Sequence, residues 1–542
     1  MNQLERDLET LDASKDAWAR LAVERKIRLF EDLKRSVHAV APDWAQAASR
    51  AKGIAQGSPL EGEEWLTGPW GLLHALTCYI RTLRGIATRG LSPVPAARRR
   101  ADGRTIVPVF PRSIAPDLVL GSGTHAEVWM QTGVTPEDVR AEAGSFYRRG
   151  APRGRVALVL GAGNIASIAP LDVLYKMIAD GSVCMLKMNP VNDYLGPILE
   201  RAFSGFVDAG YLRFAYGGAD AGSFLCSHDL VTDIHITGSE STHAAIVAAA
   251  GTRKRITSEL GNVSPTIVVP GPWNDRDLNY QALHIATQKA HNAGFNCISA
   301  QVLIVPKDWD HTEKLARAVG AVFERMEQRP EYYPGAAARR TALAGSAAPL
   351  RTVTHVDASD NAHPAFTTET FSGVLACAAL SGDLHTFVRA AVTLANERLR
   401  GTLGANLIVH PATMRQHPEL IDWALATLRY GTIGVNVWTG AGFLIPEVPW
   451  GAYPGHTLED AGSGIGVVHN SYLLERTEKT VLRAPFTPFP RSLRRGELNF
   501  MPAPPWYVTS RSQAEIGKAL CDFDLTQSPA DLLRVLKAGM RS

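Results

Sequence analysis

An α/β architecture, with a parallel sheet covered by helices on both faces, is what this 542-residue sequence predicts. Three observations carry the expectation. Between residues 155 and 270, short apolar stretches (VALVLG, SVCMLKM, YLRFAY, DIHITG and PTIVVP) alternate with helical ones such as PLDVLYKMIADG and YLGPILERAFSGFVDAG. Apolar strands separated by helices mark a sheet buried on both sides. The first strand runs into Gly161-Ala162-Gly163, a small-residue turn of the kind that joins strand to helix. A second α/β-like region extends from about 275 to 465.

The remaining elements follow from period and punctuation. Trp18, Leu21, Ile27, Phe30, Leu33 and Val37 recur at roughly helical spacing, predicting one amphipathic helix over residues 15–40. A second apolar helix is expected over 71–88. The stretch 105–150 mixes strand-like TIVPVF and AEVWMQTG with Pro and Gly, and reads as an extended hairpin or arm. Residues 484–508 are Pro-rich and read as an irregular strap. A short helix follows, with Ser528 as N-cap and Pro529 in its first turn. No internal repeat is found.

Composition narrows the class. The chain is 45% apolar and 20% charged, with a formal net charge of +3, ordinary for a soluble globular protein. It offers no excess of phosphate-neutralising charge, so no nucleic-acid partner is expected. The basic knot Arg98-Arg99-Arg100 with Arg104 lies in a Pro/Ala/Gly-rich loop and reads as a solvated surface turn. The amino terminus has no apolar signal region, and no run of eighteen apolar residues occurs, so no membrane span is expected. Six scattered cysteines without a CxxC pair argue against a disulfide framework or a zinc site and fit a reducing cytoplasm.

The Gly161-Ala162-Gly163 turn resembles the phosphate cradle of a dinucleotide-binding fold, but its confirming partner is missing. That fold places a carboxylate about twenty residues on, at the end of the second strand. Here that strand ends at Lys187, with no acidic residue before Asp193. Downstream stand DIHITGSE (233–240), ITSELGNVSP (256–265) and HNAGFNCISA (291–300), followed by TETFSGV, ANERLRGTLGANLIV, GTIGVNVW and VPWGAYPG. Together with Asn164 and Lys187, and in this order, these blocks resemble the aldehyde dehydrogenase superfamily over roughly residues 15–480. The Asn164-to-Lys187 spacing equals that of the family pattern, and the Glu259-to-Cys297 spacing is close to it.

The resemblance implies a fold and a site. The fold is a five-stranded parallel cofactor domain (1–112 and 151–262), an α/β catalytic domain (263–464), and a bridging arm (113–150 and 465–490). Residues 491–542 are an added carboxy-terminal extension. A bridging hairpin needs a sheet to pair with, so a homodimer or homotetramer is expected. Cys297 would be the nucleophile, because a thiolate adds to an aldehyde to give a hemithioacetal from which hydride can leave. Asn164 would be an oxyanion donor, with the Cys297 backbone N–H as second donor. Glu259 would be the base for hydrolysis of the thioester. Lys187 would bind the adenosine ribose, Gly238 and Ser239 the pyrophosphate at a helix N-terminus, and Glu369 and Phe371 the nicotinamide ribose and ring. No metal is implied. His291 is read as a helix-end histidine without a role.

Several positions depart from the family pattern. Pro190 stands where NAD-preferring members carry a Glu, so NADP is as compatible as NAD. Asn262 replaces the second Gly of ELGG, and Trp450-Gly451-Ala452 replaces FGG. Ile165 follows the catalytic Asn, and Asp172 takes a position facing the substrate tunnel, which together imply a wider or more polar entrance. The implied activity is NAD(P)-dependent oxidation of a small-molecule aldehyde to a carboxylic acid. Two alternatives stand beside it: an acyl-CoA (acyl-thioester) reductase, which the presence of Glu259 disfavours, and a catalytically idle protein of the same fold.

Overall fold

A computed structural model describes residues 2–541 apart from 113–116, 118–120, 122, 151, 252 and 500. Two sheets organise it. The smaller has five parallel strands in the order Arg255–Glu259, Asp233–Thr237, Val156–Leu160, Val183–Lys187 and Leu212–Ala215, with Gly464–Ile465 added antiparallel at one edge. The larger has ten strands among the described residues, and six of them, ending at one edge, run Thr432–Val435, Gly404–Ile408, Ser264–Val268, Ala300–Pro306, Gly373–Leu380 and Arg351–Val356, all parallel. The α/β class with a parallel cofactor sheet and a second α/β unit is therefore what the chain adopts. One strand changes place: PTIVVP belongs to the larger sheet, and the fifth strand of the smaller one is RITSE. Apolar content alone does not reveal a strand's neighbours, because both sheets are buried on both faces.

Alternation supplies the cores. Along Ala300–Pro306, Val302 and Ile304 face one apolar cluster while Leu303 and Val305 face the other, the two-residue period of a strand with helices above and below. The smaller sheet packs against the amino-terminal helices through Trp18, Phe30 and Phe206, three rings in mutual contact. The single helix expected over 15–40 is two helices, Asn2–Ala19 and Val23–Ala51, broken at Arg20–Ala22. Neither Gly nor Pro marks the break, and the apolar period runs on across it, because both helices cover the same core. The helix over Gly71–Arg89 forms as expected, ending on Gly90 in the left-handed conformation.

The hairpin pairs Thr105–Phe110 with His125–Met130. Its first strand begins ahead of the expected boundary at 113, a boundary that itself lies outside the described residues, as does the one at 151. His125–Met130 pairs with Thr477–Arg483, which pairs in turn with Thr432–Val435 of the same chain. The arm thus extends its own chain's sheet, and the need for a partner sheet, on which the expected homodimer or homotetramer rested, falls away. At the outer edge lies Arg98–Arg99, two exposed arginines that blunt the sheet. The basic knot is more than a solvated turn: Arg100 pairs with Asp422 and stacks on Trp129, and Arg104 pairs with Glu478.

Among its described residues the carboxy-terminal strap, 484–512, is irregular save one short turn at Leu493–Arg495, and the chain then forms helices Gln513–Thr526 and Pro529–Gly539. Ser528 caps the second through its side-chain oxygen, as expected, while the first was not anticipated. Among the described residues no helix is long and apolar enough to cross a membrane.

Trp18 is fully buried and donates its indole N–H to the Met177 carbonyl. Trp18→Ala is expected to cost about 3–5 kcal/mol of unfolding free energy. Urea denaturation checks this.

Candidate active site

Parallel strands end on one edge of the smaller sheet, and the chain delivers its functional side chains there. The loop after Val156–Leu160 carries Asn164, Lys187 closes the next strand, Thr237-Gly238-Ser239 follow another, and Glu259 closes the last. The larger sheet faces this edge and contributes Cys297 and Glu369. All eight predicted site residues (Asn164, Lys187, Gly238, Ser239, Glu259, Cys297, Glu369 and Phe371) line one cleft of about 670 Å³. On the far side of Cys297 lies a small apolar chamber, walled by Leu66, Ile165, Trp438, Phe443, Trp450 and Trp506 among others. Asn164, Ile168 and Cys297 are the residues common to both spaces, so the thiol sits where they meet.

Burial sets the electrostatics. Burial, reinforced by the neighbouring Glu259 carboxyl, raises the Cys297 thiol well above its ordinary range. Burial likewise pushes the Glu259 carboxyl up to about 7, where a carboxyl both releases and accepts a proton near neutrality, against a lowering contribution from the Cys297 thiol. Glu259 Oε1 and Trp450 Nε1 are both buried without a partner. Two unsatisfied polar atoms beside the thiol leave room for a water or substrate oxygen to join them. The Trp450 departure from the family pattern therefore adds a donor at the site.

The distal end of the cleft fits a dinucleotide. Ser239 caps helix Glu240–Ala250, accepting from the Thr242 N–H and leaving the first-turn amides exposed. Lys187 lines the cleft beside Pro190, its ammonium lowered by burial and sustained by Asp193. Burial pushes Glu369 up to about 8; it accepts from the Asn262 backbone N–H, and its Oε1 has no partner. That orphaned oxygen suits a sugar hydroxyl. Phe371 holds a positive φ of 40° and packs its ring on Phe295 and Tyr333.

The expected polar entrance is not found. Asp172 lies outside both spaces, buried at 1% exposure and accepting from the Thr237 hydroxyl at 2.9 Å. Ile165 does line the chamber, and makes it more apolar. His291 ends its helix as read, but its ring is buried against Trp438 in the chamber wall, where burial lowers its basicity.

No local sequence signal points to the hydrogen-bond network that holds the site. Asn292 donates its amide to the carbonyls of Asn164 (3.1 Å) and Phe295 (2.9 Å), tying the oxyanion loop to the nucleophile turn. Asn164 donates to that same Phe295 carbonyl at 2.9 Å. The Asn292 amide oxygen accepts from Lys52, Arg329 and Tyr332. Behind these lie two buried ion pairs, Lys52–Glu64 (2.8 Å) and Arg329–Glu63 (2.9 Å). Burial alone would raise the Glu63 carboxyl; Arg329, His291, the Asn292 N–H and Lys52 together outweigh it and hold it low. EGEEW in an amino-terminal helix carries no motif, so only the fold reveals its link to Cys297.

A parallel sheet faces a second α/β sheet, with cysteine, carboxyl and amide at their junction. The sequence model of the aldehyde dehydrogenase family matches residues 125–343. The 4-trimethylaminobutyraldehyde dehydrogenase A of Danio rerio is 30% identical over 197 residues, which span 33% of this chain and 39% of that one. Matched sequence thus covers about two fifths of that relative's length. Among solved structures, a mutant aldehyde dehydrogenase C from Pseudomonas syringae, complexed with NAD+ and octanal, superposes with a TM-score of 0.61 at 17% identity, covering 89% of this chain and 88% of that one. A glyceraldehyde-3-phosphate dehydrogenase from Methanocaldococcus jannaschii complexed with NADP gives 0.57 at 15%, covering 89% and 94%. Residues 125–343 thus match the aldehyde dehydrogenase family model, and the chain shares the fold of these solved aldehyde dehydrogenases.

Asn292→Ala leaves the Asn164 loop and the Cys297 turn unlinked. A drop in kcat of roughly a hundredfold is expected, the scale of an ångström's misplacement, with the cofactor KM nearly unchanged. Steady-state kinetics with an aldehyde and NAD(P)+ checks the split.

Proposed function

We propose that this protein oxidises an aldehyde to a carboxylic acid with NAD+ or NADP+ through a covalent thioester on Cys297. The observation that carries this reading is the position of Cys297 and Asn164 at the meeting point of a dinucleotide-sized cleft and an apolar chamber, with Glu259 beside the thiol.

The chain's own groups supply the chemistry around the carbonyl. Glu259, poised near neutrality, takes the thiol proton as sulfur attacks the aldehyde carbon. An amide nitrogen carries two hydrogens; Asn164 gives one to the Phe295 carbonyl and has the other for the developing alkoxide, a donor worth on the order of 3 kcal/mol in the transition state. A nicotinamide held in the cleft would supply the acceptor for the hydride that leaves the hemithioacetal carbon. A thioester on Cys297 remains; Glu259 passes the thiol proton to solvent and, again a carboxylate, draws a proton from water held near its Oε1 and the Trp450 indole N–H, which it returns to the leaving thiolate. Attack by that water releases the acid and returns the thiol.

The cofactor would lie with its adenosine ribose at Lys187, its pyrophosphate at Gly238 and Ser239, and its nicotinamide ribose at Glu369. Pro190 places no carboxylate in the cleft lining beside Lys187, so a 2′-phosphate meets a cation there, with Asp193 behind it as the acidic neighbour. The Danio rerio relative is named for a quaternary ammonium aldehyde; the chamber here has no carboxylate to receive one. The carboxyl beside the thiol favours hydrolysis over transfer to or from coenzyme A.

Glu259→Gln should give one burst of NAD(P)H per site and then stall at the thioester, and Cys297→Ala should give none. Stopped-flow absorbance separates them, and steady turnover of the glutamine variant at the wild-type rate would end the base assignment. A proton held below about pH 7 occupies the acceptor. Wild-type turnover should therefore rise roughly tenfold per pH unit up to that point and level above it. Lys187→Gln should raise the KM for NADP+ by roughly tenfold and that for NAD+ less. Initial rates with both cofactors test this.

A further inference from the structure

The extension beyond residue 490 reaches the reacting cysteine. Trp506, on a Pro-rich segment between Pro504-Pro505 and Tyr507, packs its indole against three apolar clusters at once: that of the arm, that of the terminal helices, and the one containing Ile298 and Trp438 beside Cys297. With Trp438 it lines the chamber against Cys297. The same two rings line a second chamber on their other side, which includes Tyr280, His284, Asn499, Met501 and Tyr507. Trp438 and Trp506 are the residues common to both, so they form the partition between them.

The partition is firmly set. Trp438 is buried and donates to the Ile298 carbonyl at 3.0 Å. The segment bearing Trp506 is pinned on either side. Gln513 donates to the Tyr507 carbonyl, the Val508 N–H donates to the Thr287 hydroxyl at 3.3 Å, and the Tyr507 ring stacks on His284. The free space left against Cys297 is about 40 Å³. A water needs roughly 10–15 Å³ of such space, so the chamber holds roughly three heavy atoms. No Lys, Arg, Asp or Glu lines it, and burial keeps its one imidazole, His291, less basic. An anionic tail entering it would lose its water without finding a cation.

We propose that Trp506 sets the length limit for the substrate. It confines the site to short aldehydes, and its removal opens the Cys297 chamber into the second one. This assignment rests on the aldehyde-oxidation reading above, and makes a segment outside the region of family resemblance a specificity determinant.

The test is a series of n-alkanals from acetaldehyde to decanal with full-length wild type, Trp506→Phe and Trp506→Leu, each checked for a cooperative thermal transition. The quantity read is the ratio of kcat/KM for octanal to that for propanal, which a general loss of activity leaves unmoved. Wild type should favour propanal by about tenfold or more, and Trp506→Leu should raise the ratio by about tenfold, the scale on which a pocket discriminates a few methylenes. Trp506→Phe should fall between. Octanal used as well as propanal by wild type, or a ratio unmoved in both variants, overturns the proposal. If no aldehyde reduces NAD(P)+, the aldehyde-oxidation reading fails, and titration calorimetry with n-alkanamides then tests the partition alone. A length cut-off that Trp506→Leu removes upholds it, and equal binding of all lengths in wild type overturns it.

Discussion

The site depends on the side chain of Asn292. One carboxamide bridges the turn that carries Cys297 and the loop that carries Asn164, two segments 128 residues apart in sequence. The backbone there is unfavourable by itself: Asn292 and Ala293 have φ of 51° and 57°, in the left-handed region that few side chains adopt without compensation. The compensation comes from outside the loop. Three donors converge on the Asn292 oxygen, and its backbone N–H reaches Glu63 at 2.9 Å. The Cys297 turn and the Asn164 loop are thus fixed by one buried polar node, fully partnered at its carboxamide, and such a node specifies geometry better than apolar packing does.

That node also explains why two ion pairs are buried next to the cleft. Burying Lys52–Glu64 and Arg329–Glu63 is costly in desolvation, and ion pairs of this sort often add nothing to net stability. Their use here is positional, because each cation makes its second contact with Asn292. The same dryness acts on the reacting groups. Glu259 and Glu369 are raised by burial to about 7 and about 8, and neither has a cation in direct contact. One environment therefore keeps the structural carboxyl at 63 charged, through Arg329 and its neighbours, and leaves the two cleft carboxyls near neutrality. The difference lies in the partners.

The sequence made the chemistry legible and the scaffolding opaque. Asn164, Glu259 and Cys297 could be read because each stands in a short block whose order and spacing carry information, and the fold brings all three to one point. The five parallel strands could be read because buried strands are apolar throughout. What could not be read depends on contacts between distant segments. PTIVVP has the apolar content of either sheet, so its neighbours were misassigned. Asp172 is near the site in sequence register, yet its carboxyl turns to the Thr237 hydroxyl behind the strand ends. The arm's pairing within its own chain follows from where Thr477–Arg483 arrives, which no local pattern encodes.

The carboxy-terminal extension shows the same limit from the functional side. Its strap has no secondary-structure period and its tryptophan no motif, so nothing local distinguishes Trp506 from a surface residue. Its meaning comes from attachment. Asp524 of the first terminal helix accepts from the Trp70 indole at 2.8 Å and faces His74, tying the extension to the helices that precede the cleft. Gln513 anchors the strap just after Trp506. Glu63 and Glu64, which steady Asn292, stand in the short helix against which Gln513–Thr526 packs, and the Gly62 backbone lies so close to Gln513 that a Cβ there would overlap it. The extension therefore braces from outside the helix that braces the nucleophile from within. Catalytic geometry and substrate length are set by two ends of the chain packed against each other.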